Sequence, residues 1–434
     1  MPPIAGPREP LHRLERLPAV CRQFLILLVC LTAACYLTEI FCGWALHLGI
    51  PYSWPLISHD FLMDFTRYID QFKLVHTVAF FKGVNAPMYP MPMMMCYWAL
   101  YSLHIGGVGF AVIITVLTLV AAIWTTRALV DSGLAVSRAV PLVFVTYVLS
   151  YPLFFEYQSG NVEIIVWATL CLGVWAWMRG RNWTAAALFG LAASFKLFPF
   201  VYLGLLLSKK RYKECVFGCG VAVLATLISL WAIGPTIPIA YHGTQTNIAL
   251  YRDTYMLYII KLFAGFDHSL FMDVKVALTA INHLRGQHPS FHERSLALSA
   301  YMAIIGLLGV LAYFLRIRHL PAVNQVICLT LAATLLPPMS FDYTLMHLYV
   351  PWALMCFVAV RAAQLGIEIK GLKAAFICLA IALAPMTEFI LRDRTVASWI
   401  RALAMLALFL VALRYPFPLT PDESLIPAPK PAHS

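Results

Sequence analysis

The chain has 434 residues, 61% of them hydrophobic and only 12% charged, with a formal net charge of +11. A soluble domain keeps about 25% charged residues, so a soluble globular protein is excluded and a polytopic all-α membrane protein is expected. The basic excess does not mark a nucleic-acid binder. Lys and Arg sit at the ends of apolar runs, where the positive-inside rule places them, with membrane lipids as counterions.

Residues 1–22 carry Arg8, Arg13, Arg16 and Arg22 ahead of the first apolar run, residues 24–47. That run is too long for the core of a cleaved signal, so a signal anchor with a cytoplasmic N-terminus is expected. A first loop follows, residues 48–105, and holds the densest charge near the membrane: Asp60, Asp64, Arg67, Tyr68 and Asp70 in HDFLMDFTRYIDQFKL. Phe61, Phe65, Tyr68, Ile69 and Phe72 recur there at three- and four-residue steps, the face of an amphipathic helix able to lie along the bilayer. A carboxylate at the hydrocarbon edge gains proton affinity by partial desolvation, which makes Asp64 a candidate general base. The same pattern also suits an Asp64 that only caps or solvates an interfacial helix. Asp60, one helical turn earlier, is the alternative base.

Residues 88–103, MYPMPMMMCYWALYSL, are apolar but short for a crossing and read as a second interfacial helix. Spans are expected at 109–130 and 141–155, the second stopping where Glu156, Gln158 and Asn161 cluster. Residues 162–178 return to the basic turn Arg179-Gly180-Arg181-Asn182. The next apolar segment, residues 183–208, is basic on both flanks: Arg179 and Arg181 before it, Lys209, Lys210, Arg211 and Lys213 after. Its middle carries Lys196 and then the helix breaker Pro199. Both flanks fall on the cytoplasmic side if the segment is a broken or re-entrant hairpin whose tip delivers Lys196 to the interior. A single straight span that violates the charge rule is the alternative.

Residues 216–233 lead out to a long loop, 234–294, rich in polar aromatics and His, which is expected to fold over the membrane face. Spans at 296–315, 323–336, 345–360, 374–390 and 397–413 follow, and a Pro-rich tail, 416–434, is expected to be disordered and cytoplasmic. The sum is one membrane domain, residues 23–415, with about 10–12 transmembrane helices and both termini inside.

Three polar clusters then share one side: the Asp64 loop, residues 156–163, and the turn PPMSFDYTLMH at 337–347. Charges in or beside the membrane are costly and mark functional sites, and those on offer are Glu163, Lys196, Asp342 and Glu388, with His347 nearby. Asp342 and His347, five apart, diverge on a regular helix, but Pro337-Pro338 allows an irregular start. Bland readings stay open: His347 as a histidine satisfied within its helix, and Glu163 and Lys196 as a pair within the bundle. The 11 cysteines lie mostly in apolar runs without CxxC spacing, so neither disulfides nor zinc are indicated. There is no GxGxxG, Walker loop, HExxH or Asp-x-Asp, and Pro289 separates His288 from His292, so no metal or other cofactor is expected. Arg252 and Asp253 either meet an anionic headgroup or pair with each other.

Five motifs in order, DFTRY (64–68), MYPMP (88–92), GNVE (160–163), GLAASFKLFP (190–199) and PPMSFDYTLMHLYVP (337–351), resemble glycosyltransferase family 87. This is a family of the GT-C superfamily that includes mycobacterial mannosyltransferases acting on phosphatidylinositol mannosides. The resemblance covers roughly residues 20 to 415. It implies a GT-C-like bundle in the bacterial inner membrane, with loops 48–105 and 234–294 and the active site on the periplasmic side. It also implies two partners: a polyprenyl-phosphate sugar donor, with mannose as the expected sugar, and a lipid-linked or glycolipid acceptor. Asp64 takes the place of the family's catalytic aspartate. Tyr89 with Pro90 matches its Tyr-Pro, Asn161 stands where many members carry Gln, and Lys196 matches the lysine of the broken helix. The 342–347 turn, with Asp342, Tyr343 and His347, matches a polar turn lining the cavity, and Arg67, Tyr68 and Glu163 join the substrate-binding candidates. Two departures, Met91 where Tyr-Pro-Pro is common and Phe341-Asp342-Tyr343 in place of a Trp-His type turn, leave the sugar and the acceptor open.

The implied reaction is a single displacement: Asp64 takes the acceptor proton while Lys196, His347 and Arg67 stabilise the departing phosphate. A secondary transporter or lipid flippase is the rival, and it should show inverted repeats with two matching broken helices. One broken segment, with long loops massed on one side, favours an enzyme. A related GT-C transferase using another prenyl-phosphate sugar, or an inactive scaffold, are the remaining readings.

Overall fold

A computed structural model of the chain describes residues 14–41, 45, 62–82, 86–258, 266–386, 390–391 and 394–419. Asp60, Glu388, Arg8, Arg13 and the tail beyond residue 419 lie outside them. Eighteen helices can be followed among the described residues. They are α1 (Ala19–Ile40), the short turns α2 (Met63–Arg67) and α3 (Ile69–Phe72), α4 (Met91–Ser102), α5 (Gly107–Asp131), α6 (Val136–Leu149), α7 (Tyr151–Ser159), α8 (Glu163–Met178) and α9 (Asn182–Phe195). Then come α10 (Leu203–Ser208), α11 (Tyr212–Ile233), α12 (Ile237–Tyr251), α13 (Leu270–Leu284), α14 (Phe291–Leu315), α15 (Ala322–Leu335), α16 (Tyr349–Leu365), α17 (Leu372–Leu383) and α18 (Val396–Arg414). A two-residue strand pair, Ile390–Leu391 with Arg394–Thr395, precedes α18.

Six of the helical segments are long and apolar enough to cross a membrane, and α6 with α7 makes a seventh if that bent pair is one span. The pair turns by 47° at Ser150, whose backbone is extended, and Pro152 then opens α7 as a new first turn. The expected count of about ten is reached only by adding α8, α15 and α17, which have 16, 14 and 12 residues. At about 1.5 Å per residue these fall short of a hydrocarbon core of about 30 Å. Two of them have a visible stop. Glu163 opens α8, and Ala384 and Pro385 close α17 well before the expected residue 390.

The doubly basic segment folds as a hairpin. α9 runs up to Lys196, whose extended backbone ends it, and a 3-10 turn, Phe198–Tyr202, leads into α10 coming back. The return is fixed at the far end of α8, where the Trp177 indole N–H donates to Leu205 O at 2.9 Å and Lys209 Nζ lies 4.0 Å over the Trp177 ring. Both basic flanks therefore sit at one end of α8, as the charge pattern requires, while Lys196 reaches the other.

Two expectations change. The segment around Asp64 does not spread its apolar face on lipid. It forms the short turns α2 and α3, which bury Phe65, Tyr68 and Phe72 against aromatic rings of α4 and α5; Phe65 stacks on Phe110 at 5.1 Å and Phe72 meets Tyr101 at 5.7 Å. Amphipathic spacing marks an apolar partner, and here the partner is protein. Residues 234–294 are likewise largely helical. Thr236 caps α12 and Ser269 caps α13, while Ser290 and Glu293 form a reciprocal capping box at the start of α14.

One main core runs through the bundle around Trp167, Trp177 and Trp352, and a second, small cluster of Leu257, Phe271, Leu298 and Tyr301 joins α13 to α14. Gly160 seats the Asp64 loop on the core. Its φ is +60°, and a Cβ there would lie 2.7 Å from Leu62 Cα, two residues before Asp64. Gly160→Ala is therefore expected to destabilise the fold by about 1–3 kcal/mol, from left-handed strain plus a backbone clash. Thermal unfolding in detergent should show a clear drop in the midpoint. The control Gly306→Ala, with nothing within 4 Å of its Cβ, should show none.

Candidate active site

Asp64 lies in the first turn of α2, just after Leu62, whose φ of 57° turns the chain into the helix. Two donors converge on one carboxylate oxygen: Asn161 Nδ2 at 2.6 Å and the Tyr89 hydroxyl at 3.1 Å from Oδ2. The other oxygen, Oδ1, is left without a hydrogen bond among the described residues. Asp64 also lines a cleft whose wall is mostly aromatic, including Tyr68, Tyr89, Tyr251, Tyr255, Phe341 and Tyr343. Among the described residues of that wall, Arg67 is the one Lys or Arg and Asp64 the one carboxylate. Desolvation pushes the Asp64 carboxyl above the ordinary carboxylate range, while the bonds from Asn161 and Tyr89 and the charges of Lys196 and Arg67 pull it back only in part. Burial holds the Tyr89 phenol well above its usual value, so it stays protonated and donates.

Behind the cleft the same amide continues the network. Asn161 Oδ1 accepts from Lys196 Nζ at 3.3 Å and from the backbone N–H of Glu163 at 3.1 Å. Lys196 forms an ion pair with Glu163 Oε2, and its Nζ lies 4.1 Å over the Tyr343 ring. Glu163 Oε1 meets His347 Nε2 at 2.6 Å, and His347 packs edge-on against Phe198. Four sequence-distant segments thus meet in one chain of contacts, Asp64–Asn161–Lys196–Glu163–His347, with Asn161 and Glu163 on the same turn. The pairing of Glu163 with Lys196, left open in the sequence, is present. Lys196 and His347 are both committed to Glu163, so of the three cationic candidates for the phosphate only Arg67 lines the cleft.

Asp342 is placed elsewhere. Its Oδ1 meets His268 Nδ1 at 3.0 Å, and Arg401 Nη1 donates to its Oδ2 at 2.7 Å, with all three side chains fully buried. Arg401 also lies 3.9 Å over the Tyr151 ring, and His268 Nε2 faces Ser340 Oγ and Thr344 Oγ1 at 3.2 and 3.3 Å. Asp342 therefore ties the 3-10 turn Asp342–Leu348 to α7, α18 and the start of α13 rather than joining the Asp64 group. Sequence reasoning missed Arg401 and His268; an arginine inside the apolar run 397–413 was the available signal. Among the remaining candidates, Tyr68 and Tyr343 line the cleft with Tyr89 and Arg67. Arg252 pairs with its neighbour Asp253 at 2.7 Å.

The model of glycosyltransferase family 87 matches residues 88–338, more than half of the chain, a stretch that includes Tyr89, Asn161, Glu163 and Lys196. No curated protein and no solved structure matches the chain. The matched stretch holds the amide, the hairpin and the start of α8 that are built around Asp64, and the chain belongs to glycosyltransferase family 87 as a multi-pass membrane glycosyltransferase.

Proposed function

We propose that the protein is an inverting glycosyltransferase that moves a sugar, mannose as the first choice, from a polyprenyl-phosphate carrier to a hydroxyl of a lipid-linked or glycolipid acceptor. The cleft would open on the periplasmic face of a bacterial inner membrane. The observation that carries this reading is the state of Asp64. One oxygen is held by two donors, the other is open to the cleft, and the carboxyl has a raised proton affinity. That is the arrangement a general base needs.

The step follows from the atoms available. Asp64 Oδ1 takes the proton of the acceptor hydroxyl as that oxygen forms a bond to the anomeric carbon. The bond from that carbon to the phosphate oxygen breaks on the opposite face, and its electrons leave with the polyprenyl phosphate. Arg67 supplies positive charge at the departing phosphate. A retaining route needs a second carboxylate about 5–5.5 Å from the first, and the described cleft wall offers Asp64 alone. Its tyrosine rings suit the C–H faces of a sugar, and Met63 and Met88 are adaptable apolar lining for the first prenyl units.

Purified protein should transfer labelled mannose from polyprenyl-phosphate-mannose to extracted lipids. Asp64→Asn should lose about 10²–10⁴ of that rate with donor binding kept. An active Asp64→Asn would overturn the base assignment, and substrate flux in vesicles without transfer would favour a transporter. Arg67→Gln should lower kcat more than it raises the donor KM, because the phosphate gains negative charge as it leaves, measured by initial rates. The pH profile offers a sharper test of Asn161. Its amide donates to the ionised carboxylate, so removing it raises the Asp64 pKa further. Because the reaction needs the ionised form, the acidic limb of kcat/KM in Asn161→Ala should move to higher pH. An unmoved limb would mean that Asn161 does not act on Asp64.

A further inference from the structure

A second cavity, of about 660 Å³, lies between α13 and the first turns of α14, apart from the Asp64 cleft. It falls within the range of about 300–1,000 Å³ usual for small-molecule sites. Among the described residues its charged lining is of one sign: Lys275 and Arg294, beside the imidazoles of His283 and His288, with no carboxylate. Both cations are held in place. Lys275 is only 5% exposed and is paired with Asp267 at 3.6 Å, so the cation placed to meet an incoming anion is Arg294, whose guanidinium stacks 4.1 Å over the Tyr258 ring.

The surroundings are apolar and open. Leu284, in the wall, is 87% exposed, and Phe291 and Leu296, on the adjoining turn of α14, are 50% and 61% exposed. α14 is itself a candidate span beginning at Phe291, so this mouth stands where the helix enters the membrane. Cations inside and hydrocarbon surface outside fit an anion that carries a lipid tail. A soluble anion would have no use for the apolar rim. The two cavities share no lining residue, yet both use one segment: Tyr251 and Tyr255 face the Asp64 cleft, and Leu257 and Tyr258 face this one.

We propose that the cleft between α13 and α14 binds the phosphate headgroup of a membrane lipid, at a site separate from the Asp64 centre. Detergent-purified protein would be titrated with phosphatidylglycerol, phosphatidylcholine, polyprenyl phosphate and inorganic phosphate, with retention read by native mass spectrometry. Phosphatidylglycerol should bind about tenfold or more tightly than phosphatidylcholine, an advantage of about 1.4 kcal/mol or more. The double variant His283→Gln with Arg294→Gln should lose that preference. The cavity-filling, charge-neutral Thr279→Trp should lose binding too, which guards against a folding defect in the first variant. Asp64→Asn should keep the preference, separating this site from the transfer reaction. If the binding that both cavity variants remove is tighter for polyprenyl phosphate than for phosphatidylglycerol, the occupant is the carrier, and if weaker, a phospholipid; either supports the assignment. Equal retention of the anionic and zwitterionic lipids, unchanged binding in both cavity variants, or equal affinity for inorganic phosphate would overturn it.

Discussion

A single carboxamide holds the centre together. Asn161 has one acceptor end and one donor end, and its acceptor end is occupied by Lys196 Nζ and the Glu163 N–H. The donor end must then face Asp64, at 2.6 Å. The orientation of the Asp64 carboxylate is thus set by groups on α8 and on the hairpin tip, neither of which belongs to the loop that carries it. The hairpin exists to place Lys196 there, and Gly160 exists to let the Asp64 loop close onto the amide. In a membrane interior such a network is costly unless each member is satisfied. Glu163 meets that condition by accepting from Lys196 on one oxygen and meeting His347 on the other.

The distribution of positive charge follows from the same constraint. Lys196 is neutralised by Glu163 and Arg401 by Asp342, so each buried cation has an anion beside it. Arg67 lines the open cleft, where its Tyr255 hydrogen bond and the nearby Asp64 leave room for a further anion. The proposed donor, with its own negative charge and an apolar tail, suits that distribution. The interior cations hold groups in place, and Arg67 is the cation at the cleft.

Much of this was legible before any coordinates. Basic residues on both flanks of an apolar run, with Lys196 and Pro199 in its middle, favoured a hairpin over a single straight span, because the charge rule and the helix breaker agree. Asp64 stood out as a candidate from the cost of a carboxylate at the membrane edge. The role of Asp342 was not. Its partners His268 and Arg401 lie 74 and 59 residues away in sequence, and no local periodicity reports a contact of that kind. The packing of Phe65 and Phe72 was hidden for another reason. An apolar helical face is the same pattern whether it meets lipid or a tyrosine, and only the presence of α4 and α5 decided it. Glu163 with Lys196 was an open pair because two buried charges of opposite sign suit both a substrate site and each other.

The central claim is a single displacement with Asp64 as the one carboxylate at the reacting carbon. The anomeric configuration of the product tests it most directly. Transfer from a donor of defined anomeric configuration, followed by NMR of the purified product, should give the opposite configuration. Retained configuration would require a second nucleophile in the cleft and would contradict the role assigned to Asp64.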